Sequence, residues 1–170
     1  MVLISELYIT LMSNIFIYSG PVRSGKTTRI GQWVKSNPHI DGILAPRIDG
    51  QRYVQRISSG VYRRIEISNP AANESIISIG HYRFSAAVFR WARKELLSCL
   101  QIPSLQWLVV DEIGPLELQG QGLEPAVSEI LKCCREAPSF RLLLIIRQSL
   151  LAEAGAHYQW QAHEFLPETI

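Results

Sequence analysis

No apolar run in the chain reaches the roughly 20 residues that a helix needs to cross a bilayer, so no membrane partner is expected. Cysteine is scarce. Cys99, Cys133 and Cys134 form an odd set with two members adjacent, which suits neither a disulfide framework nor a thiolate metal cage. A reducing compartment, the cytoplasm, fits that usage. His39, His81, His157 and His163 show no metal-ligand spacing. Charge of one sign is also missing. The net charge of +2, from 17 basic and 15 acidic residues, is too balanced to call for an unspecific polyanion binder. No repeat or low-complexity tract is visible. What remains is 170 residues, 47% of them apolar and 19% charged, enough for one domain with a real core and too apolar for disorder. Arginine outnumbers lysine 13 to 4, and arginine is the better fork for anions.

Residues 1–13 are fairly apolar but carry Glu6 and no basic start, so they make a poor secretory signal. They read as an extension, with Met12 as an alternative start, ahead of a domain over 14–170. The segment 1–11 is expected to add nothing to a functional site. A β-branched and aromatic run at 14–18 predicts a strand. Ile30, Trp33 and Val34 then fall at helical spacing, and Asn37-Pro38 ends that helix. Strands are expected at 43–48, 51–57 and 61–67, turned by Asp49-Gly50 and by 58–60, as a small antiparallel meander. A further strand is expected over 77–84, followed by a helix over 86–100 capped by Ser85. The apolar stretch 105–110 runs into Asp111-Glu112. Pro125 suits the first turn of a helix whose buried face is Val127, Ile130, Leu131 and Cys134. Another apolar strand follows at 140–146, then a short helix over 149–156 and a tail strand over 160–165. Apolar strands alternating with amphipathic helices predict an α/β fold, a mostly parallel sheet with helices on both faces and the meander inserted at one edge.

The turn after the first strand reads Gly20-Pro21-Val22-Arg23-Ser24-Gly25-Lys26-Thr27-Thr28. It fits the phosphate-loop pattern G-x-x-x-x-G-K-[ST] in its required strand–turn–helix context. Gly20 lets the chain turn sharply off the strand, and Gly25 lets backbone N–H groups come close to phosphate oxygens. The N–H groups at 23–28 would form an anion nest at a helix N-terminus, where the macrodipole favours negative charge. Lys26 is then the β- and γ-phosphate contact, and the Thr27 hydroxyl a Mg²⁺ ligand. Arg23, at the crest of the loop, reads as solvent-facing, with a phosphate contact as the alternative.

A buried strand ending in two carboxylates has the Walker B pattern, and ligands of such sheets gather at the carboxyl ends of the strands. Asp111 would hold Mg²⁺ through its water shell, and Glu112 would polarise the attacking water. Adjacent acids there repel one another unless a cation lies between them.

The loop over 20–28, together with Asp111-Glu112-Ile113-Gly114-Pro115-Leu116-Glu117-Leu118, resembles the THEP1-type nucleoside-triphosphatases. Asp41-Gly42 and Ile79-Gly80-His81-Tyr82 resemble further segments of that family, and the likeness spans 14–166. The resemblance implies a RecA-like P-loop NTPase fold with an additional strand. It also implies Mg²⁺-dependent hydrolysis of nucleoside 5′-triphosphates to diphosphate and phosphate with loose base preference. Ile113 and Gly114 join the expected nucleotide-binding set through that signature. Val22 and Arg23 depart from the family's Pro-Gly pair, Leu116 replaces a methionine, and the family's final helix is largely missing after 166.

Arg147 follows the strand at 140–146 and is a candidate for sensing the γ-phosphate, with a solvated strand-end arginine as the plain reading. Arg47, Arg52, Arg56, Arg63 and Arg64 stand against one acid, Asp49. They read as the solvated face of a hairpin, with a nucleotide lid or a polyanion grip as alternatives. Trp33, Trp91 and Trp107 read as core, and Glu117 as a supporting hydrogen-bond partner. Two other functions stay open. One is a nucleotide or nucleoside kinase, which needs an acceptor site. The other is a RecA-like module for which nucleic acid is a possible but not a required partner. A monomer is expected.

Overall fold

The computed structural model describes residues 14–136 and 139–165, so the expected extension over 1–13 lies outside the described residues. The run Ile-Phe-Ile-Tyr forms β1 (Ile15–Gly20), and α1 (Lys26–Ser36) follows the glycine-rich turn. Next come β2 (Ile40–Leu44), β3 (Arg47–Ile48), β4 (Gln51–Arg56) and β5 (Tyr62–Arg64). A hairpin of β6 (Ile76–Ile79) and β7 (Tyr82–Ser85) leads into α2 (Ala86–Cys99), whose N-cap Ser85 accepts from the Val88 N–H. Then follow β8 (Trp107–Ile113), the one-turn α3 (Pro115–Leu118), α4 (Ala126–Glu136) and β9 (Arg141–Arg147). A 3₁₀ turn at Gln148–Leu150, α5 (Leu151–Tyr158) and β10 (His163–Glu164) complete the described chain.

The main sheet runs β10-β1-β9-β8-β2-β4-β3, with β5 also paired to β4. Strands β10, β1, β9, β8 and β2 are mutually parallel, and β4 joins β2 antiparallel. This is the expected mostly parallel sheet, with the meander at one edge. The side-chain alternation of strands buried on both faces sorts the core into two layers. Leu108, Val110, Leu142 and Leu144 pack with Leu96 of α2, Val127 and Ile130 of α4 and Ala154 of α5. Val109, Leu143 and Ile145 pack on the other face with Ile30 and Trp33 of α1. Trp33 and Trp107 meet edge to face in that layer at 5.3 Å, as their apolar settings suggested. For function, the decisive feature is that β9 lies between β1 and β8. It carries Arg147 to a position between the glycine-rich turn and the two acids.

Strand β2 approaches β8 closely at Gly42. A Cβ there would lie 2.0 Å from the Val109 carbonyl oxygen, and φ is +132°. Both effects oppose any side chain, so Gly42→Ala is expected to destabilise the fold by about 3 kcal/mol or more in chemical denaturation. Gly31→Ala is the contrast. Its new Cβ meets only Leu44 Cδ1 at 3.7 Å, inside a helix where alanine is preferred. It should be neutral or stabilising by up to about 1 kcal/mol.

Three expectations need correction. The strand expected over 43–48 ends at Leu44, because Pro46 has no N–H to donate and the Ala45 N–H bonds Asp111 instead of a ladder partner. The strand expected over 77–84 is a hairpin, since Gly80 adopts φ +56° and turns the chain. The arginines of the meander are not one solvated face. Arg56 is only 6% exposed and forms a bidentate pair with buried Asp41, Nε to Oδ1 at 2.8 Å and Nη2 to Oδ2 at 2.7 Å. Its Nη1 donates to Ser98 Oγ at 3.0 Å and contacts Glu95 of α2 at 3.2 Å. Arg52 is nearly buried as well, with its guanidinium 4.6 Å from the ring centre of Tyr82. Arg63 covers Trp91, and Arg47 and Arg64 bond backbone carbonyls at exposed positions.

Candidate active site

Strand β1 ends at Gly20, where a Cβ would press on Ser24 Oγ at 3.2 Å. Arg23 and Gly25 both adopt left-handed conformations, φ 62° and 81°, and so curl the loop over 20–25 back toward the sheet. The space around the Gly25 Cα is open, so the backbone conformation rather than a clash calls for glycine there. Helix α1 then starts at Lys26 with no side-chain cap and no acid in its first turn. Its first N–H groups and the positive end of its dipole are left without a protein anion, the arrangement that binds phosphate. Lys26 Nζ donates to the Gly20 and Pro21 carbonyls at 2.9 and 2.7 Å and so spans the loop. Burial holds its pKa below the usual lysine value, and Arg147 adds to the effect against the pull of Asp111.

Strand β8 brings the acids to this loop. Asp111 is buried, and its Oδ2 accepts from Thr27 Oγ1 at 2.7 Å and from the Ala45 N–H at 3.0 Å. Burial pushes its pKa up to about 6 despite those two hydrogen bonds. The register of β8 against β9 slips between Asp111 and Ile113, and Glu112 sits in that bulge with φ +68°. Successive strand residues ordinarily point to opposite faces, and a bulge re-aims one of them. Here both acids line one cavity. Glu112 Oε1 accepts from Arg147 Nη2 at 2.5 Å and lies 3.8 Å from Arg52 Nη1.

The bulge is pinned by Glu117 in α3, with Pro115 at the start of that turn. Buried Glu117 accepts the Gly114 N–H through Oε2 and the Leu123 N–H through Oε1, each at 2.9 Å. Burial raises its pKa to about 7. Gly122 leaves room for it, since a Cβ there would lie 2.1 Å from Oε1. Glu117→Ala strands two buried N–H groups at about 1–3 kcal/mol each. It is expected to lower unfolding free energy by about 2–4 kcal/mol and to reduce turnover, as denaturant titration and phosphate release would show.

A cavity of about 690 Å³ collects Val22, Arg23, Ser24, Gly25, Lys26, Thr27, Thr28, Asp111, Glu112 and Arg147. Arg23 is exposed and also lines this cavity, a position compatible with either of its two readings. Gly20 and Pro21 are not among its lining residues, Ile113 is buried in the core, and Gly114 lines an adjoining cavity instead. Ala45 carries no signal in the sequence, whereas Arg52 stands there as one of five arginines whose lid reading is the alternative. Among the described residues, no cluster of three or more His, Cys, Asp or Glu could hold a metal, and no helix is long and apolar enough to cross a membrane.

No curated protein matches the sequence. Two solved structures share the fold. THEP1 from the hyperthermophile Aquifex aeolicus aligns with a TM-score of 0.67 and 14% identity, covering 89% of this chain and 88% of its own. A human cancer-related nucleoside triphosphatase aligns with a TM-score of 0.62 and 23% identity, covering 88% and 86%. A family model described as NTPase matches residues 14–153, a span within which the glycine-rich loop, both acids and Arg147 fall. The chain therefore belongs to this NTPase family and is a P-loop nucleoside-triphosphatase.

Proposed function

We propose that the cavity hydrolyses nucleoside 5′-triphosphates, ATP and GTP among them, to diphosphate and phosphate in a Mg²⁺-dependent reaction. The observation that carries this reading is the 2.7 Å contact between Thr27 and Asp111 over the uncapped end of α1. Two oxygen donors so close suit a hard cation that keeps most of its waters, and a buried carboxylate with a raised pKa gains from one. Thr27 and Asp111 would hold Mg²⁺, which when bound neutralises charge on the β- and γ-phosphate oxygens. The first-turn N–H groups of α1 and the loop amides receive the phosphates. Lys26 exchanges its two carbonyl partners for phosphate oxygens. Glu112 orients the attacking water and takes its proton. Arg147 holds Glu112 through Oε1, which leaves Oε2 for that water, and its guanidinium lies where charge develops on the transferred group.

Beyond the loop the cavity is walled in part by Pro46 and Ile57, which offer apolar area to any base, and by Gln32 and Gln55, whose amides both donate and accept. This supports loose base preference. Phosphate release from ATP, GTP, CTP and UTP would be measured with Mg²⁺ and with EDTA. Release from all four that falls to background in EDTA is expected. Release from none, or release indifferent to EDTA, would contradict the reading.

A further inference from the structure

A second cavity, of about 320 Å³, lies on the other side of Asp111-Glu112. It shares Ala45, Arg52, Asp111, Glu112 and Arg147 with the first cavity, so the two meet at the carboxylates. Its remaining wall is mostly apolar and aromatic, with Val54, Ile65, Ile79, Tyr82, Phe84 and Phe89 prominent. Hydrolysis needs room for one water beside Glu112, whereas this space is worth about ten water volumes. It is as large as small-ligand sites and is of their usual character, an apolar body with a few convergent polar groups. Arg52 belongs to both walls, with its Nε ion-paired to Glu66 Oε2 at 3.5 Å and its Nη1 3.8 Å from Glu112 Oε1, so a cation already stands beside the carboxylate where the two cavities meet.

Building on the hydrolase reading above, we propose that this cavity is a phosphoryl-acceptor site. It takes a small alcohol carried on a flat, uncharged, apolar body. The ring packs among Tyr82, Phe84 and Phe89, and the hydroxyl reaches Glu112 in place of the attacking water. Glu112 takes the hydroxyl proton, the alcohol oxygen forms a bond to the γ-phosphorus, and the bond from that phosphorus to the β,γ-bridging oxygen breaks. Its electron pair leaves with the nucleoside diphosphate. No electron is transferred to or from any other group. Arg147 and Arg52 flank the incoming oxygen on the side where negative charge accumulates. A free sugar or nucleoside fits less well, because its several hydroxyls would be buried against apolar walls.

The test uses the full chain and 4-fluorobenzyl alcohol as the probe. Binding is followed by ¹⁹F NMR in the presence of ADP and Mg²⁺, and product by the partition of ³²P from γ-labelled ATP between phosphate and benzyl phosphate ester. Saturable binding is expected, with ester formed at least tenfold faster than without protein and phosphate release falling in step. Ile79→Trp narrows the cavity from its peripheral hairpin and should cut binding and ester formation at least tenfold, with hydrolysis within threefold of normal. 4-Fluorotoluene, which lacks the hydroxyl, should block ester formation without being consumed, a readout that needs no variant. Absence of saturable binding, or binding with no ester above the protein-free rate, overturns the proposal. If ATP alone yields no phosphate, the hydrolase reading fails, while ester formation still decides the acceptor site.

Discussion

Replacing Arg56 by glutamine is expected to lower the unfolding free energy by about 3–5 kcal/mol, a large share of what a domain of this size has. The arginine is 6% exposed and closes a network that joins β4, β2 and α2. Asp41 receives both guanidinium bonds, its neighbour Gly42 N–H at 2.7 Å and the Ser58 N–H at 3.2 Å. Removing the cation leaves that carboxylate buried and unpaired, which costs far more than the pair itself is worth. The paired state has a pH signature. Burial alone would raise the Asp41 pKa, but the bonds from Arg56, Gly42 and Ser58 outweigh it and hold it below its ordinary 3.8. The contribution is therefore complete above about pH 4 and is lost as pH falls through the depressed value. Urea titration at neutral pH is the check, with Arg64→Gln as the contrast. Arg64 is exposed, and its substitution should stay within about 0.5 kcal/mol.

The second large effect separates Lys26 from Glu112. In the proposed mechanism Lys26 contacts the phosphates in both the ground state and the transition state, so Lys26→Ala should weaken nucleotide binding as well as turnover. Glu112→Gln keeps an acceptor for Arg147 but cannot take a proton. It is expected to bind Mg²⁺–nucleotide about as tightly as the unaltered chain and to lose kcat by roughly 10² or more, about 2.7 kcal/mol of transition-state stabilisation. A fluorescent nucleotide analogue measures the first quantity and single-turnover hydrolysis the second.

Much of this architecture could be read without coordinates, for reasons that differ by element. The turn over 20–28 and the acids at 111–112 announce themselves because phosphate chemistry fixes residue types at fixed offsets. The parallel strands do so because burial on both faces makes them continuous apolar runs. The α3 turn escaped notice although Pro115 and Glu117 stand at the starting positions such turns favour. Four residues carry too little periodicity to register. The bulge at Glu112 left no local mark, since it comes from the pairing of β8 with β9, 35 positions away in the contact between Glu112 and Arg147. Arg52 and Arg56 were misread because an arginine-rich hairpin usually faces water. Their partners, Tyr82, Asp41 and Glu95, lie in other elements. The second cavity is built from β4, β7, α2 and the signature after β8, and no contiguous pattern could have shown it.

Single-turnover hydrolysis by Glu112→Gln, with excess protein over γ-labelled ATP and saturating Mg²⁺, is the most direct measurement of the mechanism. Normal nucleotide affinity with a cleavage rate lowered by roughly 10² or more is the predicted result. Cleavage at the rate of the unaltered chain would show that Glu112 is not the group that takes the proton, and the mechanism argued here would be wrong.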